Sequence, residues 1–150
     1  MNPDLRDLYG DVLLDHSRST RNRRPLSPPA ACAEGDNPLC GDRVRFFVRV
    51  DADMIVDASY EGSGCAISLA SASLAADAVR GRRASEAIEL SDRLLAALTG
   101  ADPETDATAA LTDDLAALSG IRAYPMRVKC ATLAWRAMRE AIASAIGSST

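Results

Sequence analysis

Twenty-eight of the 150 residues are alanine, while Leu, Ile, Val and Phe together number only 31. Few large apolar side chains are available, so the core must be modest and largely helical, because alanine favours helices and gives little to a sheet. The large apolar fraction lies just above the range in which highly charged chains stay disordered, and the formal net charge is only −4. The chain is therefore expected to fold, with residues 1–150 as one domain. A chain of this size buries roughly two thirds of its unfolded surface, so neither a disulfide nor a metal is needed merely to fold it.

Periodicity places the elements. Asn2 and Pro3 can start a helix whose buried face is Leu5, Leu8, Tyr9, Val12 and Leu13. A loop rich in Pro, Arg and Ala follows, from Arg21 to about Pro38, with a third strand possible within Ala30 to Gly35. Arg43 to Val50 alternates as a strand, with Val44, Phe46, Val48 and Val50 on one side. Asp51-Ala52-Asp53 turns the chain into a second strand from Met54 to Tyr60, with Ile55, Val56 and Tyr60 as its bulk. Gly62-Ser63-Gly64 breaks that strand. Ala66 to Val79 reads as a helix ended by Gly81. Ser85 can cap a helix to about Leu98, with Ile88, Leu94, Leu95 and Leu98 in the core. A polar loop spans Gly100 to Ala110, and Thr112 can cap a short helix bearing Leu115 and Leu118. Pro125 starts a last helix, Met126 to about Ala145. The fold class this gives is α+β: a small antiparallel sheet of about three strands, covered by helices because two strands alone are marginal.

Composition excludes several functions. No stretch approaches the ~20 apolar residues of a membrane span, and Met1-Asn2-Pro3-Asp4 does not read as a signal peptide. A pI near 5.0 argues against nucleic acid as the main partner. The expected compartment is the cytoplasm, where four cysteines read as metal-binding or catalytic before they read as disulfides. The basic cluster Arg18, Arg21, Arg23 and Arg24 is either a solvated loop or a docking surface for an acidic protein.

Three cysteines stand at the joints of this scheme. Cys40 lies in Asn37-Pro38-Leu39-Cys40-Gly41-Asp42, just before the hairpin. Cys65 lies in Gly62-Ser63-Gly64-Cys65-Ala66, between a strand and a helix start. Cys130 sits in the first turns of the last helix. Helix N-termini favour thiolate, which predicts depressed pKa values, and the flanking glycines let the backbone approach a small ion. A tetrahedral site needs a fourth ligand, and Asp42 is suitable. Spacing alone leaves both a Cys3Asp metal site and ordinary buried cysteines open. Cys32 lies in the Ala-rich loop and reads as incidental. His16, the only histidine, reads as structural or partner-facing.

Further motifs add to these: Leu8-Tyr9 with Leu14-Asp15-His16, then Arg21-Asn22, and the small-residue run Ala70-Ser71-Ala72-Ser73 after Ile67-Ser68. The last is Tyr124-Pro125-Met126-Arg127-Val128-Lys129-Cys130-Ala131-Thr132-Leu133. In this combination, from about Leu8 to Ala141, the chain resembles the SufU/IscU (NifU-like) iron–sulfur cluster assembly proteins, and the SufU branch most. Two features favour that branch: the longer segment Ala84 to Ser119, and Lys129 where the IscU branch carries a histidine. Around the Arg21-Asn22 motif the chain departs from the family pattern, with Thr20 before it in place of Pro and Arg23-Arg24-Pro25 after it.

The resemblance implies that Cys40, Asp42, Cys65 and Cys130 bind zinc. It also implies a partner, a pyridoxal-phosphate-dependent cysteine desulfurase of the SufS type, whose persulfide sulfur the chain accepts for iron–sulfur cluster assembly. In that mechanism the desulfurase offers a histidine to the zinc, Cys40 is released, and its thiolate attacks the persulfide. Suf scaffolds or apo-proteins would receive the sulfur. Arg127, about one helical turn from Cys130, is assigned to steadying a ligand or the transferred sulfur, against the plainer reading of a surface arginine. The alternatives are a scaffold that assembles and transfers a [2Fe–2S] cluster on the same residues, with iron as its metal, and a structural zinc module without turnover.

Overall fold

Valine and phenylalanine at every second position make Asp42–Asp51 (β2) a strand with one apolar face. The computed structural model describes residues 22–26, 30–37, 41–99 and 125–147. The expected helices beginning at Asn2 and Thr112, and the loop between Gly100 and Ala110, lie outside the described residues. β2 is the middle strand of an antiparallel sheet in the order β1-β2-β3, with β1 at Ala31–Asn37 and β3 at Met54–Ser63. The segment read mainly as loop up to Pro38 thus contains an edge strand over the region where a third strand was considered possible, extended to Asn37.

The hairpin turn is the pair Ala52-Asp53, both at positive φ (50° and 70°), the conformation that a two-residue turn between twisted strands demands. β3 runs on through Gly62 and Ser63 rather than breaking there. Gly62 is needed in the ladder because a Cβ would collide with the Arg43 carbonyl of β2. Val56, expected as part of the strand's apolar bulk, is 49% exposed. The register shifts by one residue at Arg49/Val50, so that Val50 pairs with Ile55 while Val48 pairs with Ala58. This bulge changes the phase of the strand and turns Ile55, not Val56, toward the helices.

Three helices among the described residues cover the inner face. Ala66–Val79 (α1) is an Ala/Ser helix buried on nearly every side. Ala84–Thr99 (α2) begins one residue before Ser85, with the Ala84 N–H donated to the Asp53 carbonyl. Pro125–Gly147 (α3) packs on β1, β2, α1 and α2 and carries Trp135 and Met138 into the centre. The small residues allow close approach: Ser71 and Ser91 donate to the carbonyls of Ala131 and Trp135 on α3. Gly35 of β1 leaves room for the side chain of Leu133.

A polar clamp fastens the segment before β1 to this frame. Asn22 is buried, its carbonyl accepts the Tyr60 N–H at 2.8 Å, and its amide donates to Ser73 and Asp77. Arg80, just past α1, donates to Asn22 Oδ1 at 2.8 Å, to the Ala58 carbonyl at 2.6 Å, and to Asp57 and Asp77. Arg24 closes the ring on Asp57. Burial pushes the Asp57 carboxyl up, but the hydrogen bonds from Arg24 and the Ala58 N–H and the charges of Arg24 and Arg80 outweigh it, so the group sits below its ordinary value of 3.8.

Arg80→Met should lower stability by about 2–3 kcal/mol, since it strands several buried partners. Arg45→Met, in the exposed Glu34–Arg45–Glu61 ladder, should change it by less than about 1 kcal/mol. Urea midpoints of the two variants check this. Because the folded-state pKa of Asp57 is lowered, its contribution is present above 3.8 and fades as pH falls through the folded value. Asp57→Asn should therefore be less stable than wild type at neutral pH, with the difference shrinking below about pH 4 in denaturation measured across that range.

Candidate metal centre

The inner face of the sheet is apolar row by row until its last rung. Ala33, Phe46 and Tyr60 form one row and Gly35, Val44 and Gly62 the next, while the end rung is Asn37 beside Asp42. A carboxylate that opens a strand and is fully buried needs donors. Asp42 Oδ1 accepts the backbone N–H of Cys65 at 2.8 Å. Cys65 is the N-cap of α1, so that N–H has no partner within the helix. Gly64 permits the approach: its φ is +151°, and a Cβ there would collide with Asp42 Oδ1.

Cys130 reaches the same place from the second turn of α3, where it is buried. One ligand atom from each of Asp42, Cys65 and Cys130 lies within 4.8 Å of the others. Cys65 Sγ is 3.8 Å from Asp42 Oδ2 and 3.7 Å from Ser68 Oγ, and Ser68 Oγ is 3.4 Å from the Cys130 carbonyl. Ser68, fully buried, thus links the Cys65 thiol to the backbone of Cys130, and its side chain also helps to lower the Asp42 carboxyl.

Electrostatics separates the groups. Burial raises the Asp42 carboxyl, but the Cys65 N–H and the side chains of Ser68, Cys130 and Cys65 outweigh it, and the group stays below its ordinary range. Burial drives the Cys130 thiol strongly upward, reinforced by its bond to Asp42 and by Cys65. The depressed value expected for a helix N-terminus is therefore reversed at Cys130. A cation would supply what the thiol lacks. Ligand atoms of a tetrahedral zinc site lie roughly 3.5–3.8 Å apart, from the usual Zn–S and Zn–O lengths. The Asp42–Cys65 spacing of 3.8 Å meets that measure, and two cysteines with a carboxylate are an accepted donor set.

The expected site residues divide accordingly. Asp42, Cys65 and Cys130 come together. Cys40 and His16 lie outside the described residues, as do Arg18 and Arg21. Arg127 is in the first turn of α3, and its side chain also lies outside the described residues. Lys129 is exposed beside buried Cys130. Cys32 is exposed on β1, apart from the cluster. Arg23 and Arg24 are exposed but engaged: Arg23 donates to the Gly62 carbonyl at 2.8 Å, at the foot of the Cys65 loop. Sequence reasoning assigns Ser68 and Asn37 no role. For Ser68 a local hint exists, since a serine three residues past a helix-capping cysteine returns to the same side of the helix.

In this α+β frame the sheet end and two helix starts bring a carboxylate and two cysteines into one group that could hold a metal ion. The family follows from the whole chain. Residues 8–131 match the NifU-like N-terminal domain, and the chain belongs to that family. It is 37% identical to the zinc-dependent sulfurtransferase SufU of Bacillus subtilis, over 97% of both chains. It is 38% identical to the iron–sulfur cluster assembly scaffold protein IscU of Streptococcus pyogenes, over 92% of this chain and 84% of that one. The crystal structure of a SUF-system iron–sulfur cluster assembly scaffold protein from Fervidobacterium islandicum superposes with a TM-score of 0.81 at 28% identity, covering 93% of this chain and 99% of that one.

Gly64→Ala should cost about 2 kcal/mol, by strain and by displacing Asp42 from the Cys65 N–H. Gly41→Ala, at φ +72° with open space around it, carries the strain alone and should cost about 1 kcal/mol. Chemical denaturation of the metal-free variants checks the difference.

Proposed function

We propose that this chain is a zinc-dependent sulfurtransferase that accepts persulfide sulfur from a pyridoxal-phosphate-dependent cysteine desulfurase for iron–sulfur cluster assembly. The observation that carries the reading is the buried Asp42–Cys65–Cys130 cluster, in a chain similar over nearly its full length to a zinc-dependent sulfurtransferase. Cys40, two residues before Asp42 in the sequence, completes the ligand set and is the sulfur acceptor.

Zinc, when bound, supplies a redox-inert positive charge that keeps cysteine thiolates deprotonated at neutral pH. The rest is the work of the chain. The Cys65 N–H holds the Asp42 carboxylate in place and favours its charge. Ser68 ties α1 to α3, and so fixes Cys65 relative to Cys130. The Cys40 thiolate attacks the outer sulfur of the desulfurase persulfide. A new S–S bond forms at Cys40 Sγ, the partner's S–S bond breaks, and the partner's cysteine leaves as thiolate, with no net oxidation. Arg127 steadies the transferred sulfur. Residues 1–150 act as one domain in the cytoplasm, and Suf scaffolds or apo-proteins take the sulfur onward.

A second reading, a scaffold for a [2Fe–2S] cluster, is favoured by the likeness to the Streptococcus pyogenes scaffold protein. Exposed Lys129, where the IscU branch keeps a histidine, weighs toward sulfur transfer.

Sulfide release by a SufS-type desulfurase should rise several-fold when the wild-type chain is added, and Cys40→Ala should abolish the rise. No activation by wild type would overturn the proposal. The aerobically purified protein should carry about one zinc per chain and no visible absorbance, whereas a brown, iron-containing preparation would favour the scaffold. Asp42→Ala should weaken zinc binding about tenfold or more in chelator competition.

A further inference from the structure

Asn37 is 9% exposed, and its Nδ2 is fully buried with no hydrogen-bond partner among the described residues. Buried amide donors are rarely left in this condition. Its place in the fold is specific. Asn37 and Asp42 are directly paired across the β1–β2 ladder, so their side chains share the inner face with Cβ atoms about 5 Å apart. Gly35, two residues earlier on the same face, packs on Leu133 of α3. One helical turn back along α3 from Leu133 is Cys130, and one step along the same face of β1 from Gly35 is Asn37. The orphaned donor therefore stands where β1 meets the Asp42–Cys65–Cys130 cluster.

We propose that Asn37 Nδ2 is the hydrogen-bond donor to a thiolate sulfur of the metal-loaded centre. The inference rests on the reading of that cluster as a metal site and adds a positioning residue to it. A metal-bound cysteine is a thiolate, an acceptor with no proton to give. In the metal-free protein the nearby hydrogen-bonding capacity is already committed: Asp42 takes the Cys65 N–H and the cysteine thiols, and the Ser68 hydroxyl donates to the Cys130 carbonyl. Loading the centre converts thiols into acceptors, and the buried N–H then gains a partner. Donors of this kind orient the ligand and stabilise its charge.

The test uses the full chain with cobalt(II) and with zinc, in wild type, Asn37→Ala and Asn37→Leu. The leucine fills the space of the amide without a donor and guards against a cavity or a folding defect in the alanine variant. With cobalt, the sulfur-to-metal charge-transfer band should move to longer wavelength in both variants, because the sulfur lone pair loses its hydrogen bond. Zinc affinity, read by chelator competition, should fall roughly tenfold to a hundredfold. The thermal midpoint of the metal-free leucine variant should not fall, while the rise produced by zinc should be smaller than in wild type. An unmoved cobalt band with unchanged zinc affinity would overturn the proposal, as would an equal loss of stability in metal-free and loaded forms. A wild-type protein that gives no cobalt–thiolate band would overturn the metal-centre reading itself, and this inference with it.

Discussion

One hydrogen bond ties the architecture to the chemistry: the Cys65 backbone N–H on the Asp42 carboxylate, at 2.8 Å. It joins the first residue of the central strand to the cap of the most buried helix. Without it a fully buried carboxylate would face the low-dielectric interior with fewer donors, at a cost of several kcal/mol. A glycine must precede the cap, because any side chain at Gly64 would occupy the position of the carboxylate oxygen. The bond sets where α1 begins, and the Ser68 hydroxyl one turn later sets how α1 lies against α3.

The small residues then become intelligible. An Ala/Ser helix brings little hydrophobic free energy of its own, at roughly 25 cal/mol per Å² of apolar area. What it allows is close approach, so that serine hydroxyls reach carbonyls of the neighbouring helix. The largest fully buried side chains, Trp135, Tyr60 and Phe46, come instead from α3 and the sheet. Along the edge of β3 and beside α1, the Asn22–Arg80–Asp57 clamp does with hydrogen bonds what a chain poor in large apolar residues cannot do with packing alone.

Much of this was legible in the sequence because it rests on local rules. Alternation revealed β2, small residues between Gly64 and Gly81 revealed α1, and Pro125 marked the start of α3. Glycine-bounded cysteines pointed to a joint rather than a core. What escaped depends on pairing between distant segments. Ile55 and Val56 read alike as apolar bulk of the strand, yet a one-residue bulge opposite Arg49 turns Val56 outward. The short polar strand Ala31–Asn37 has weak β-propensity, and its pairing with β2 and packing beneath α3 make it a strand. The roles of Ser68 and Asn37 need contacts spanning the chain, such as the one from Ser68 to the Cys130 carbonyl 62 residues away.

The reversal at Cys130 is the most instructive of these differences. Reasoning from helix ends gives Cys65 and Cys130 favourable places for negative charge, since both lie near helix N-termini. A helix N-terminus contributes about 0.3–1 kcal/mol, or ~2 kcal/mol when partly buried. Removing a thiolate from water costs more than that, as shifts of up to 3–5 pKa units at buried sites imply. Two further acidic groups beside it add repulsion, so the thiol keeps its proton. The fold thus gathers acceptors of negative charge faster than it supplies compensation for them. A cation bound between Asp42, Cys65 and Cys130 would supply that compensation, and it would turn the buried Cys130 thiol from a proton holder into a ligand.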